Sequence, residues 1–379
     1  MSDHFVHFVR NIYKTDEYIP LHEPSFGDQE RKYIEDALES TYVSSVGVFV
    51  DKFERNIADF TKIKYAVATV NGTAALHCSL KLAGVCNDDL VITQSLSFVA
   101  TSNAIHYCNA TPVYIDVDRN LMSLSPDHLE EYLFNNCELR DDGYTWDKHL
   151  EKIVRACMPM HTLGFPADTN RIKEICDKYS IKLIEDAAES LGSYESNQHT
   201  GSQGLMSVLS FNGNKVMTTG GGGMLLTSDE RIYKMAKHIT TTAKVMKGWS
   251  WEHDQVGFNY RLPNINAALG LGQLENLNEK LKSKRKLAHE YKKWCDMNSL
   301  NFITERDGTK ANYWLNSILF DNLKERDDFL KLTNDRGIGT RPLWKPIHEL
   351  NLPNSIIFGD LSNTSWLFDR VVSIPSSPI

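Results

Sequence analysis

SFNGNKVMTTGGGGML (Ser210–Leu225) sets a lysine, Lys215, between a strand-like run and four consecutive glycines, Gly220–Gly223. Glycine admits backbone conformations and close approaches that a Cβ would block. A lysine in a partly desolvated pocket gives up its proton more readily, which imine formation requires. A surface lysine beside a flexible loop reads the same stretch equally well. The surrounding chain has to separate the two.

From about residue 65 to 230, short apolar runs alternate with helical patterns. The strand candidates are residues 65–70, 90–93, 112–116, 153–158, 181–185, 207–211 and 223–227, with helices over 73–83 and 170–179 among those between them. This alternation predicts an α/β fold: a mostly parallel seven-stranded sheet covered by helices on both faces. In such sheets, ligands gather at the loops beyond the strand ends. Pro263 opens a long helical stretch running to about Asn298. A strand over 312–320, a helix over 324–336 and a turn at 337–340 then predict a small α+β domain. The expected division is residues 1–262 for the large domain with its N-terminal segment, and 263–379 for the connecting helix and small C-terminal domain. The polar segment Asn135–Lys148 reads as a surface excursion.

The composition bounds the function. The chain has 379 residues, 41% hydrophobic and 24% charged, with a net charge of −8. That balance argues against general affinity for nucleic acid or anionic membrane. No run approaches the roughly 20 apolar residues that span a bilayer, and the first 20 residues lack an apolar signal core. The expectation is a cytoplasmic protein. Seven cysteines, odd in number and without C-x-x-C spacing, predict buried free thiols rather than a zinc site or disulfides.

Two further segments separate the readings of Lys215. IEDAAES (Ile184–Ser190) is an apolar strand ending in acids. Asp186 there suits a partner for the protonated ring nitrogen of pyridoxal 5′-phosphate (PLP), although a helix cap is the commoner use of such a residue. VNGTAAL (Val70–Leu76) leads a strand into a helix through Gly72 and Thr73, and amides at a helix start bind phosphate. A phosphate-type turn, a strand-end aspartate and a lysine near glycines match the division of labour in a PLP site.

On these residues, and on SFVAT, PVYIDVD, GFNYRLPNINAALG and RPLWKPIH, the sequence resembles the DegT/DnrJ/EryC1/StrS family of sugar aminotransferases, of PLP fold type I. The likeness runs from about Ile19 to Ser377. HEPSFG, VSSVG and TTTAKV look more narrowly like the LegC-type branch. That branch aminates carbon 4 of a UDP-linked 4-keto-6-deoxy-N-acetylhexosamine on the route to legionaminic acid.

The resemblance implies a role for each matching residue. Lys215 carries the Schiff base and later moves the proton, and Asp186 pairs with the ring nitrogen. Gly72, Thr73 and Ala74 hold the phosphate with Ser210, and Phe98 stacks on the ring. Glu189 stands near the cofactor's 3-hydroxyl, where many members carry glutamine. Two charged oxygens facing each other there would repel, so a shared proton or a turn toward another donor is expected. Asn259 reaches the phosphate of a neighbouring subunit, which implies a homodimer. His161, Arg261, Arg341, Trp344 and His348 fall on the substrate side. L-glutamate is the implied amino donor and a nucleotide-linked keto-sugar the acceptor, with UDP, GDP or dTDP as possible carriers.

Three rival functions are weaker. Sugar dehydratases of this fold replace the lysine by histidine, whereas Lys215 is present. A non-catalytic sugar-binding regulator has no need to keep Lys215, Asp186 and Ser210 together. A dinucleotide-binding fold expects G-x-G-x-x-G where VNGTAAL stands. Trp249 and Trp251 could serve as sugar platforms but read more readily as packing residues, and Lys280–Lys293 reads as a solvated basic helix face.

Overall fold

The computed structural model describes residues 2–379. Its central sheet contains β1 (Tyr65–Thr69), β2 (Leu90–Gln94), β3 (Thr111–Ile115), β4 (Lys152–Met158), β5 (Lys182–Asp186), β6 (Met206–Ser210) and β7 (Gly223–Thr227). These are the seven strands read from the sequence. Their spatial order is β1-β7-β6-β5-β4-β2-β3. All neighbours from β6 to β3 run parallel, while β7 is antiparallel to both β1 and β6. The glycine run permits that reversal. A Cβ on Gly223 would lie 2.4 Å from the Asn71 carbonyl oxygen, so only glycine lets β7 pass this close to the neighbouring turn.

Three short strands widen the sheet to ten. Ile356–Ile357 adds beside β3. The supposed excursion folds into a hairpin, Cys137–Leu139 with Thr145–Asp147, that pairs onto the start of β4.

The strands are apolar on both faces because both are covered. Side chains alternate across a strand. Ala66, Ala68, Leu209, Met224 and Leu226 pack on one face, and Val67, Val208 and Leu225 on the other. In chain order the helices are α1 (Ser2–Tyr13), α2 (Asp28–Glu39), α3 (Val48–Thr61), α4 (Gly72–Leu82), α5 (Val99–Tyr107), α6 (Pro126–Asn136), α7 (Thr169–Lys178), α8 (Glu230–Ile239), α9 (Asn264–Glu275), α10 (Leu277–Met297), α11 (Leu323–Asp335) and α12 (Ser362–Phe368). Residues of α3 and α9 cover the first face; those of α4, α5 and α8 cover the second. No described helix is long and apolar enough to cross a membrane.

The long helical stretch after Pro263 breaks at Asn276 into α9 and α10. Beyond the large sheet, a hairpin of β8 (Lys244–Lys247) and β9 (Ser250–His253) stands out with every residue of β9 exposed. The small domain's sheet contains β10 (Asn301–Phe302), β11 (Asn316–Leu319), β12 (Arg341–Pro342) and β13 (Val371–Ile374), in the order β10-β11-β13-β12.

Two expectations need correction. The N-terminal segment belongs with the small domain: Phe5, Val6 and Val9 of α1 and Ile19 share a core with Tyr291, Trp294, Phe329 and Val372. The basic stretch of α10 is not wholly solvated either. Lys284 is fully buried and donates to the carbonyls of Trp314 and Ser376. Six of the seven cysteines are buried; Cys86 is exposed.

Candidate active site

The carboxyl ends of β5 and β6, the start of α4 and the loop after β6 enclose a cavity of about 380 Å³. Lys215 reaches it from a tight turn in which its own amide donates to the Asn212 carbonyl at 3.0 Å. Its Nζ donates to Glu189 Oε1 at 2.9 Å. The ammonium also sits 4.0 Å from the centre of the Trp314 ring, whose Nε1 donates to the Asn214 carbonyl at 2.7 Å. The lysine is thus held by a charge below and an aromatic face beside it.

Asp186 ends β5 and is buried. Its Oδ2 accepts from Thr101 Oγ1 at 2.7 Å and its Oδ1 from the Ala188 amide at 3.2 Å. Burial raises this carboxyl above the usual aspartate range, and the two hydrogen bonds pull it back. Glu189 Oε2 accepts from the Leu163 amide at 2.9 Å. Burial pushes the Glu189 carboxyl up to about 7, opposed by the Lys215 charge and hydrogen bond. Glu189 therefore turns to two donors, Lys215 and Leu163.

The α4 start supplies the third part of the site. Asn71 caps the helix, its Oδ1 accepting from the Ala74 amide at 2.8 Å. The first amides of a helix have no intrahelical partner. With Ala74 occupied by the cap, the amides of Gly72 and Thr73 remain for an anion. A Cβ on Gly72 would lie 3.2 Å from the Ser210 Cβ, so glycine keeps the Ser210 hydroxyl open to the same place.

These parts fit PLP: a lysine to bind its aldehyde, a buried carboxylate for the ring nitrogen, and amides with a hydroxyl for the phosphate. Gly72, Thr73, Asp186, Glu189, Ser210 and Lys215 line the one cavity, with Phe98 and Trp344 at its wall. The rings of Phe98 and Trp344 meet edge-on at 6.2 Å.

Other predicted residues lie elsewhere. Ala74 is corrected, because its amide is taken by Asn71. His161, expected on the substrate side, is instead wholly buried and does not line the cavity. Its Nδ1 accepts from the Ala167 amide at 3.0 Å, so the proton sits on Nε2 and is donated to Glu185 at 3.0 Å. Arg261 turns away from the cavity, its buried guanidinium 3.2 Å from Glu54. Arg341 is exposed on the small sheet and donates to Asn334 and the Thr340 carbonyl. His348 Nδ1 lies 2.6 Å from Ser95 Oγ, and neither lines the cavity. Asn259 is exposed beside Thr241, outside the cavity of its own chain.

Sequence reasoning missed Trp314, Asn71 and Thr101. Thr101 was within reach, since it lies three residues after Phe98 in SFVAT, on the first turn of α5. Trp314 gives no local signal because it arrives from the small domain.

Known proteins identify the family. The model of the DegT/DnrJ/EryC1/StrS aminotransferase family matches residues 24–379. A GDP-perosamine synthase of Escherichia coli O157:H7 is 35% identical over 334 residues, covering 88% of this chain and 86% of its own. The putative pyridoxal phosphate-dependent aminotransferase EpsN of Bacillus subtilis (strain 168) is 34% identical over 363 residues, 94% of this chain and 90% of that one. The aminotransferase TlmJ from Streptoalloteichus hindustanus shares the fold at a TM-score of 0.85 and 24% identity, over 95% and 93% of the two chains. With a PLP-shaped site on a type I fold, the chain belongs to the DegT/DnrJ/EryC1/StrS family and is a PLP-dependent aminotransferase.

Proposed function

We propose that this aminotransferase moves an amino group from L-glutamate to carbon 4 of a UDP-linked 4-keto-6-deoxy-N-acetylhexosamine. One relationship carries the reading of the site: the Lys215 amine, the Asp186 carboxylate and the free amides of Gly72 and Thr73 face a single cavity. The UDP-sugar and its place in legionaminic acid synthesis rest on the resemblance of HEPSFG, VSSVG and TTTAKV to the LegC-type branch.

PLP, when bound, supplies an electron sink that acidifies the carbon next to the amino group. The chain's residues then have distinct tasks. Lys215 Nζ, free as an amine, would take the proton from the donor's α-carbon and return one to the sugar's carbon 4. Glu189, 2.9 Å from Nζ, holds the proton that Lys215 must lose before it can act as a base. Asp186 holds positive charge at the ring nitrogen. Gly72, Thr73 and Ser210 hold the phosphate and fix the ring's position. Phe98 and Trp344 form an apolar wall at the mouth of the cavity.

The active unit is a homodimer in this reading. Its support is the exposure of large apolar side chains: Met246, Trp249 and Trp251 on the β8–β9 hairpin, and, separately, Tyr42 and Val46 on the loop before α3. Monomeric proteins seldom expose such a concentration of large apolar side chains. Asn259 lies beside this hairpin, where it can serve a partner's site. The free thiols fit a reducing cytoplasm.

A GDP-linked keto-sugar is the second reading, favoured by the relative named a GDP-perosamine synthase. The test supplies L-glutamate and, separately, UDP- and GDP-linked 4-keto-6-deoxy sugars to the holoenzyme. Formation of 2-oxoglutarate and a 4-amino sugar with the UDP substrate supports the first reading. Turnover with the GDP substrate alone replaces it by the second.

A further inference from the structure

Asp186 is not simply buried; its carboxylate ends a directed chain of hydroxyls. Thr101 Oγ1 lies 2.7 Å from Asp186 Oδ2, and Ser97 Oγ lies 2.8 Å from Thr101 Oγ1. Ser97 and Thr101 are both inaccessible to solvent, at 1% and 0% exposure. A hydroxyl has one proton to give. An ionised Asp186 can only accept, so Thr101 must spend its proton on Oδ2. The contact with Ser97 is then donated by Ser97. The direction of both bonds follows from the charge on the carboxylate. Two aligned bonds in a dry setting polarise one another, and each favours the charged form of the group they end on.

The backbone makes this chain rigid. Phe98 is the N-cap of α5, so Thr101 lies in its first turn, with its amide donating to the Phe98 carbonyl at 3.2 Å. Ser97 packs against Met160, whose Sδ is 3.0 Å from Ser97 Oγ. The positive end of α5 adds to the same effect on a nearby anion.

We propose that Thr101, oriented by Ser97, is a positioning residue that fixes Asp186 Oδ2 and keeps the carboxylate ionised toward the cofactor's ring nitrogen. This rests on the reading of Asp186 as the partner of that nitrogen. The first turn of α5 thus sets how much positive charge the ring carries. Among the influences that draw the Asp186 carboxyl back down against the effect of burial, the Thr101 hydrogen bond is the largest.

The test titrates the visible absorption of the bound cofactor in the holoenzyme, with Thr101→Val, Thr101→Ser, Ser97→Ala and Asp186→Asn beside the parent. A hydrogen bond to a buried charge predicts a shift of about one to two pH units in Thr101→Val. The midpoint moves upward, because a ring nitrogen without its charge no longer opposes a positive charge at the lysine nitrogen. Thr101→Ser restores the parent midpoint, and Ser97→Ala shifts it in the same direction by less. If Thr101→Val and Ser97→Ala titrate as the parent while Asp186→Asn does not, the proposal is overturned and the Asp186 reading survives. An unshifted Asp186→Asn removes both. Should Thr101→Val not fold, Ser97→Ala decides: an unchanged midpoint there overturns the proposal.

Discussion

Lys215 Nζ and Glu189 Oε1 stand 2.9 Å apart, with the glutamate side chain 1% exposed and the lysine side chain 13% exposed. Removing one member of a buried pair leaves the other uncompensated. In Lys215→Ala, Glu189 escapes by binding a proton, which it can do only at lower pH. Its folded pKa already stands above the unfolded value, so the associated stability is present below about 4.5 and lost as pH rises through about 7. Loss of the lysine deepens this. Urea unfolding of Lys215→Ala should show a deficit that grows between about pH 5 and about pH 8, absent from Lys215→Ala/Glu189→Gln. Equal deficits at both pH values would mean that the carboxylate is not the strained partner.

The phosphate cradle separates stability from binding. Asn71→Ala removes the cap of α4 and should lower stability by about 1 kcal/mol in thermal unfolding. Gly72→Ala adds a methyl 3.2 Å from the Ser210 Cβ. It should weaken PLP affinity about tenfold, measured by equilibrium titration, with little change in the unfolding of the cofactor-free protein. A Gly72→Ala variant with parental affinity would move the phosphate elsewhere.

Lys284, which donates to the carbonyl of the cavity residue Trp314, offers a second pH signature. Burial lowers its amine to about 7. The unfolded chain therefore binds more protons between about 7 and 10.5, and folding stability gains as pH rises through that window. The slope from this group approaches about 1.4 kcal/mol per pH unit. Lys284→Met should abolish the gain in a pH series of denaturant melts. A parental slope in the variant would assign the gain to other groups.

The hairpin provides the assembly prediction. Trp249 and Trp251 are 99% and 63% exposed. Trp249→Ala/Trp251→Ala should shift sedimentation from dimer toward monomer while the far-ultraviolet circular dichroism stays unchanged. A dimer of undiminished affinity would place the interface on another face.

What could be read from the sequence follows physical lines. The strands were legible because two buried faces demand continuous apolar runs, as in Val67–Thr69 and Leu90–Gln94. The reversal of β7 was not, since hydrophobic pattern carries no direction. Lys215 and Asp186 stood out because their roles are written in adjacent residues. His161 and Arg261 misled because a polar residue's true partner lies far off in the chain. Glu185 pairs with His161 and Glu54 lies 3.2 Å from the Arg261 guanidinium. Ala74 misled for a smaller reason: its neighbour's side chain took the amide that a phosphate was expected to use.

The placement of α1 bears on how the molecule is made. Phe5 packs against Tyr291, Trp294 and Phe329, all in the last quarter of the chain. During synthesis this amphipathic helix has no complementary surface until the large sheet has been translated. It must wait with its aromatic face bare, and such exposed surface invites wrong associations. In chain terms the large sheet lies between two segments, α1 and the residues from α10 onward, that share one core. The small domain therefore completes its core last, after the cofactor cavity's main walls are already in place.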